Sequence, residues 1–216
     1  MAATTRKPQS SRQQRRAEIE QQLLEATERL MGEGSAFTEL SVDKLATAAG
    51  ISRATFYIYF EDKRQLLLQL TRHVFTEFAE AAALWWDVSE RRDPDDARRA
   101  IRQLIAGYRK HQTVITAVVE VASYDAVVAE NYKAIVDSIS EGGTAALERG
   151  IADGAVTGLR PQETARALTW MVERACHQMV RYSPPEEDDV IAEVLTEIAW
   201  RAWYLEPADP AGGYDS

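Results

Sequence analysis

The chain has very few of the residues that build disulfide-bonded, metal-binding and membrane proteins. Its 216 residues include one cysteine, Cys176, which excludes an internal disulfide framework, and only three histidines. No uninterrupted apolar run approaches the length that spans a bilayer, so we expect no membrane partner. The first residues also lack the apolar core of a signal peptide. We therefore expect a cytoplasmic protein that keeps its thiol reduced.

Catalytic motifs are missing as well. There is no Ser-His-Asp set, phosphate-binding loop or Cys-x-x-Cys motif, and His73 and His111 stand alone. Glu173 and His177 are four apart on a predicted helix and can share a metal or a proton. One candidate function is therefore a small all-α enzyme that uses this pair, or a ligand-binding dimer without a DNA role. It is the alternative to DNA binding. Two candidate ligands without a second pair do not make a site, so we predict no metal, no cofactor and no catalytic residue.

The overall net charge of −9 argues against a nucleic-acid partner, because DNA binding requires clustered Lys and Arg. The charge is divided unevenly along the chain. Residues 1–72 contain 11 Lys and Arg against 9 Asp and Glu, a net charge of +2, whereas the remainder has a net charge of −11. Only the first third is electrostatically suited to DNA.

Apolar residues recur at helical spacing through most of the chain, and no segment shows the period-two alternation of a half-buried strand. The fold class is therefore predicted to be all-α. Val114 to Val121 is β-branched, but its helical flanks favour a short buried helix. Caps, glycines and prolines divide the pattern into about nine helices, at 17–30, 41–49, 52–59, 63 to beyond 86, 94–111, 114–121, 131–152, 161–182 and about 186–205.

These helices suggest four regions. Residues 1–16 are basic and polar, so we expect a disordered arm, which either lies along DNA or only solubilises the chain. Residues 17–65 form a helix-turn-helix domain. Residues 66–206 form a larger helical body for ligand binding and dimerisation, and residues 207–216 form a flexible tail.

The helix-turn-helix prediction rests on residues 41 to 60. Ser41 and Ser52 are placed to cap two short helices, and Gly50 lies at the reversal between them, where a left-handed backbone suits glycine. In the second helix, Phe56 and Phe60 are four apart and can face the core. Arg53, Thr55, Tyr57 and Tyr59 then point largely outward, where they can contact DNA.

The segment LSVDKLATAAGISRATFYIYFEDKRQLLLQL resembles the DNA-binding segment of the TetR family of bacterial repressors. That family's pattern is roughly Gly-(Val/Ile)-Ser-x-x-Thr-(Phe/Leu)-Tyr-x-(Tyr/His)-Phe-x-x-Lys, and every fixed position is met here, from Gly50 to Lys63. The resemblance implies that Thr55, Tyr57, Tyr59 and Lys63 contact phosphates. It also implies that Ser52, Arg53 and Ala54 lie at the base edges, where Arg53 suits a guanine. The predicted DNA-binding residues are Ser41, Ser52, Arg53, Ala54, Thr55, Tyr57, Tyr59 and Lys63.

GISRATFYIYF and ALTWMVERACHQM also resemble the ethionamide-resistance repressor group within that family. The resemblance implies a ligand pocket among the middle helices. Thr169 and Val172 replace amide side chains of that group, and Tyr132 replaces a tryptophan, so we expect an apolar or aromatic effector with few polar anchors. The predicted ligand-binding residues are Phe78, Trp85, Trp86, Tyr108, Tyr124, Tyr132, Trp170, Glu173 and His177.

In TetR proteins the last two long helices of two subunits form a four-helix bundle, which implies a homodimer here. Such a dimer places its two recognition helices, one from each subunit, about 34–36 Å apart on a near-palindromic operator. The expected function is therefore a repressor released from double-stranded DNA by a small molecule. The predicted dimer residues are Leu168, Ala175, Val194, Ile198, Ala202 and Leu205.

Overall fold

A computed structural model describes residues 8–91, 93–156 and 158–204, with side chains from Gln13 onward except Trp85 and residues 87–91. Within these residues the chain forms eight α-helices and no strand, which confirms the all-α prediction. Leu205, residues 1–7 of the predicted arm and the predicted tail, 207–216, lie outside them. The helices are α1 Pro8–Gly32, α2 Val42–Ala48, α3 Arg53–Tyr59, α4 Lys63–Arg91, α5 Pro94–Ala122, α6 Ala126–Ala152, α7 Pro161–Ala175 and α8 Asp188–Tyr204.

The chain divides into two compact units whose limits differ from the predicted domains. Among the described residues, unit 1 comprises 8–74 and 111–132, and unit 2 comprises those within 75–110 and 133–204. The two divisions differ because α4, α5 and α6 each supply residues to both units. Sequence periodicity cannot show where along one continuous helix the packing partners change.

The first helix begins earlier than predicted. Residues 8–16, expected to be disordered, belong to α1. Arg15 pairs with Glu18, and Arg16 donates to Glu20 at 2.8 Å, which are the three- and four-residue spacings that stabilise a helix surface. The polar composition of this arm favours disorder, whereas its ion pairs with the acids that follow it favour the helix.

Unit 1 has an aromatic and aliphatic core. Phe56, Leu45 and Leu66 are fully buried in it, and α2 contacts both α1 and α3. The Arg29 guanidinium donates to the Ala48 carbonyl at 2.7 Å and so covers the C-terminal end of α2, where carbonyls lack helical partners. These contacts hold the short helices α2 and α3, which are too short to be stable alone.

The segments predicted to end at His111 and to begin at Val114 form one helix, α5, with an interruption. His111 has φ −114° and ψ 18°, outside the helical region. Its ring is buried, and its Nδ1 lies 2.7 Å from the Glu28 carboxylate of α1. The two predicted helices therefore meet at a kink, which accounts for eight observed helices where about nine were predicted.

Unit 2 explains the Gly142–Gly143 pair that interrupts the α6 pattern. A Cβ atom at Gly142 would lie 2.7 Å from the Trp86 ring, and one at Gly143 would lie 2.9 Å from it and 3.2 Å from the Cβ of Ala165. The pair therefore lets a tryptophan and α7 approach the backbone of α6.

Beyond α7, residues Cys176–Val180 form a π-helical turn, and α8 follows after a short 3-10 turn. None of the helices described is both long and apolar enough to cross a membrane.

Candidate functional site

The reversal between α2 and α3 is built from local capping. The Ser41 hydroxyl accepts from the Lys44 N–H at 3.1 Å, and the Ser52 hydroxyl accepts from the Thr55 N–H at 2.9 Å. Gly50, at φ +69°, adopts the left-handed backbone that ends α2. The hydroxyls of Ser41 and Ser52 therefore each cap a helix by accepting one hydrogen bond. Only their remaining donor and acceptor capacity is open to DNA.

Helix α3 separates into a buried and an exposed face. The Phe56 and Phe60 rings are buried with centroids 5.3 Å apart, as the spacing predicts. Arg53 and Ala54 are exposed and Tyr57 is 47% exposed, whereas Tyr59 is half-buried. The outward face is therefore more limited than the sequence suggested, because Tyr59 is partly covered.

Thr55 is half-buried, and its hydroxyl lies 2.8 Å from that of Ser52. Either oxygen can be the donor. The two hydroxyls therefore form one polar pair at the start of α3, and a phosphate contact by Thr55 would share that pair.

Sequence reasoning missed an exposed apolar side chain on α3. Ile58 is 75% exposed and lies on the same helix face as Ala54, four residues earlier. The signal was present, because Phe56 and Phe60 facing inward place the residue between them outward. The family pattern hides it, since that position has no fixed residue type.

The prediction that Lys63 offers its ammonium to a phosphate needs correction. In the structure the Lys63 Nζ donates to the carbonyls of Phe37, Thr38 and Leu40 at 3.3, 2.6 and 3.2 Å. An ammonium has three hydrogens, so these bonds engage its whole donor capacity. Burial lowers the pKa of Lys63 from its ordinary value. Lys63 thus fastens the turn before α2 to the start of α4, a task that residue spacing alone does not reveal.

A capping box fixes the start of α4. The Asp62 carboxylate accepts from the Gln65 N–H at 2.8 Å, and the Gln65 side-chain oxygen accepts from the Glu61 N–H at 2.6 Å. These two bonds fix the turn that follows the exposed face of α3.

Arg53 has two neighbours in the structure. Its Nη1 donates to the Asp43 carboxylate of α2 at 2.7 Å, and its guanidinium carbon lies 5.6 Å from the centre of the Tyr57 ring. The predicted base-reading side chain is therefore held at the surface by an acid and an aromatic ring.

The predicted ligand-binding residues are divided between the two units. Tyr124 and Tyr132 belong to unit 1, where Tyr132 is buried and Tyr124 is 64% exposed, so Tyr124 does not line an enclosed cavity. The side chain of Trp85 lies outside the described residues. The other six belong to unit 2 and are at least half-buried: Phe78, Trp86, Tyr108, Trp170, Glu173 and His177.

Within unit 2, Tyr108 and His177 form a buried polar pair. The Tyr108 hydroxyl lies 3.3 Å from Nδ1 of His177. Burial raises the pKa of Tyr108 and lowers that of His177, so both are neutral at pH 7. Burial also raises the pKa of the adjacent Cys176 thiol to about 12, which makes it a poor nucleophile.

Two predicted pocket tryptophans have partners within the fold. The Trp170 indole N–H donates to the Asp137 carboxylate at 3.0 Å. Trp86 packs on the backbone of α6 as described above, and its ring centroid is 5.8 Å from that of Trp203. Each ring is therefore part of the packing of unit 2, and a ligand that contacts either of them does so at its remaining surface.

An open groove of about 530 Å³ lies along α4 and α5 in unit 2. It includes none of the predicted ligand-binding residues, and the Lys110 ammonium pairs there with Glu77 at 2.9 Å. Charged and apolar side chains both line this groove. The lining residues are Glu77, Glu80, Ala81, Leu84, Gln103, Ala106, Gly107 and Lys110.

Two of the predicted dimer residues are large apolar side chains at the surface of α8. Val194 is 47% and Ile198 is 45% exposed, and Val190, one turn earlier, is 60% exposed. Leu168, Ala175 and Ala202 are half-buried. The described residues contain no group of three or more His, Cys, Asp or Glu side chains that could hold a metal ion.

Comparison with known proteins matches two segments of this chain. Residues 23–70 match the bacterial regulatory proteins of the tetR family, and residues 97–204, half of the chain, match the C-terminal domain of the transcriptional regulator EthR.

Among known relatives, the HTH-type transcriptional regulator EthR of Mycolicibacterium smegmatis is 38% identical over 104 residues, or 47% of this chain and 46% of that protein. An uncharacterized HTH-type transcriptional regulator of Haemophilus influenzae is 37% identical over 65 residues, or 30% of this chain and 34% of that protein. The chain thus matches less than half the length of either relative.

Two solved structures share the fold. FadR from Bacillus subtilis, in complex with stearoyl-CoA, aligns with a TM-score of 0.69 at 15% identity, over 84% of this chain and 98% of that one. The TetR family regulator PfmR from Thermus thermophilus aligns with a TM-score of 0.63 at 22% identity, over 86% and 99%.

Proposed function

Because the chain belongs to the TetR family of bacterial regulatory proteins and carries an EthR-type C-terminal domain, we propose that it represses transcription as a homodimer on a near-palindromic operator. The matched families and relatives are transcriptional regulators, which confirms the expectation of a regulator rather than an enzyme. Because the bacterial chromosome lies in the cytoplasm, a repressor that binds it acts there. The observation that carries this proposal is the exposed face of α3, held by a fixed turn on each side.

Recognition of DNA then divides among the side chains of that face. Arg53 reads a guanine through the two acceptors O6 and N7, and Tyr57 contacts the phosphate backbone. Ser41, Ser52, Ala54, Thr55, Tyr59 and Lys63 lie around them. Of these, Lys63 acts mainly by keeping the start of α4 in place.

Ile58 adds a contact that suits thymine, whose 5-methyl group projects into the major groove. Replacing one thymine of the operator by uracil removes only that methyl group. We expect the wild-type protein to bind one such operator severalfold more weakly, and Ile58→Ala to be insensitive to the same replacement. Equal losses in both proteins, measured by fluorescence anisotropy, would assign the methyl contact to another residue.

Dimerisation is supported by the exposed stripe of Val190, Val194 and Ile198 on α8. These residues are spaced four apart on one helix face, and apolar surface of this kind is stabilised when a second copy covers it. Leu168, Ala175, Ala202 and Leu205 would complete the contact.

The effector is proposed to bind in the body and to release DNA by preferring a conformation that binds the operator poorly. Phe78, Trp86 and Trp170 offer aromatic surface in unit 2, and the neutral Tyr108–His177 pair offers one polar anchor. This favours an uncharged lipophilic or aromatic molecule.

The decisive experiment is a mobility-shift titration on the promoter DNA beside the protein's own gene, over a range of salt concentrations. We expect sequence-specific binding that weakens steeply with salt, because phosphate contacts release counterions. Arg53→Ala should lose preference at one base pair, whereas Lys133→Ala, on the exposed surface of α6, should bind as the wild type does. Absent or salt-insensitive binding would refute the proposed function.

A further inference from the structure

An acidic side chain lies within the proposed DNA-reading face. Asp43, in the first turn of α2, accepts from the Arg53 Nη1 at 2.7 Å, and both side chains are 60% exposed. Arg53 is the first residue of α3, so the pair links α2 and α3, the two helices of the helix-turn-helix, at their exposed N-terminal ends.

Stability does not explain this pair, because exposed ion pairs contribute little to folding. A carboxylate at this place is also unfavourable for binding, since it repels the phosphates that the surface must approach. Asp43 therefore lowers the affinity for DNA of any sequence unless a positively charged partner neutralises its carboxylate. The partner in contact with it is the side chain proposed to read a base.

The geometry leaves Arg53 able to bind a base while it is paired. A guanidinium carries five N–H groups, and the bond to Asp43 uses one at Nη1. Nε and Nη2 form a second edge that can meet O6 and N7 of a guanine. Tyr57, 5.6 Å away, offers its ring to the guanidinium plane. A long flexible side chain restrained on two sides loses less freedom when it binds, and it discriminates better against bases that do not fit.

We propose that Asp43 is a positioning residue for sequence reading, which holds Arg53 in the orientation that meets a guanine. The inference rests on the proposed DNA-binding function. Asp43 thus increases discrimination between base pairs while it reduces affinity for DNA of any sequence.

The test starts with an operator selected from random DNA by the full-length wild-type protein. Arg53→Ala then identifies the base pair that Arg53 reads, as the one position where single changes no longer matter. We expect Asp43→Ala to reduce discrimination at that same pair by roughly fivefold to tenfold, while affinity for random DNA stays equal or rises. The double variant should discriminate no worse than Arg53→Ala alone.

Glu39→Ala is the matched control, because it removes an exposed acid of the same unit for which no contact to Arg53 is seen. It should change affinity for all sequences alike and leave discrimination intact. Circular dichroism would establish that each variant keeps the wild-type helix content.

A folded Asp43→Ala protein with unchanged discrimination at that pair would overturn this inference alone. So would a loss spread equally over all positions, since this would indicate displacement of the whole helix. If Arg53→Ala altered no position, the assignment of Arg53 and this inference would both fall. If the wild type selected no sequence, the proposed function itself would be refuted.

Discussion

The helix-turn-helix of unit 1 and the body in unit 2 are held together in different ways. In the first, Ser41, Ser52 and Asp62 each accept from a backbone N–H three residues later. In unit 2 the contacts that define the site join residues far apart in sequence, such as Tyr108 with His177 and Trp170 with Asp137. The comparison teaches that a binding surface made by local capping can be recognised from sequence, whereas one made by distant packing cannot.

The two units also offer separate probes. All five tryptophans, residues 85, 86, 170, 200 and 203, belong to unit 2, so tryptophan fluorescence reports on that unit alone. Far-UV circular dichroism reports on the helices of both. Substitutions in one unit can therefore be followed separately from the other.

The largest effect is expected from Phe56→Ala in unit 1. It removes a fully buried ring, which lowers the free energy of unfolding by about 3–5 kcal/mol. In denaturant, circular dichroism should lose a fraction of its signal before fluorescence changes, and operator binding should be lost. Tyr57→Ala, at an exposed ring of the same helix, should leave stability nearly unchanged. Coincident transitions for Phe56→Ala would show that the two units unfold as one.

A smaller effect is expected from Gly142→Ala in unit 2. The new methyl group meets the Trp86 ring, and overpacking of this kind costs about 1–3 kcal/mol. The fluorescence transition should shift to lower denaturant. Gly32→Ala, in α1, meets nothing within 4 Å and should be neutral or slightly stabilising. A neutral result for Gly142→Ala would mean that Trp86 moves easily from the backbone of α6.

The smallest effect is the pH dependence due to His177. Burial holds its pKa below the ordinary value near 6.5, so below that pH the unfolded chain binds a proton that the folded one does not. Stability from this residue is therefore full above about pH 6.5 and falls as the pH drops toward the folded-state pKa, by at most about 1.4 kcal/mol per pH unit. Thermal unfolding between pH 7 and 5 measures this slope.

His177→Gln should flatten that slope, and His73→Gln, at an exposed histidine, should not. The same slope in all three proteins would assign the acid sensitivity to other groups.

Much of the fold was predictable because its signals are local. Serine caps, the left-handed Gly50 and the four-residue spacing of Phe56 and Phe60 each act within one turn of chain. The N-terminal boundary of α1 was missed because its stabilising ion pairs were not weighed against its polar composition. Lys63 and Ile58 were misread or missed because a family pattern records which residue recurs, and not what it touches.

The sequence by itself therefore determined the helical class, the helix-turn-helix and the buried face of α3, since each depends on residues within a few positions of one another. Only the tertiary structure decided that Lys63 donates hydrogen bonds to three carbonyls and that Arg53 pairs with Asp43. It also decided the packing of Trp86 on the α6 glycines and the division into two units. The physical reason is that these contacts join residues whose proximity is created by folding, and helical periodicity carries no information about which helices will meet.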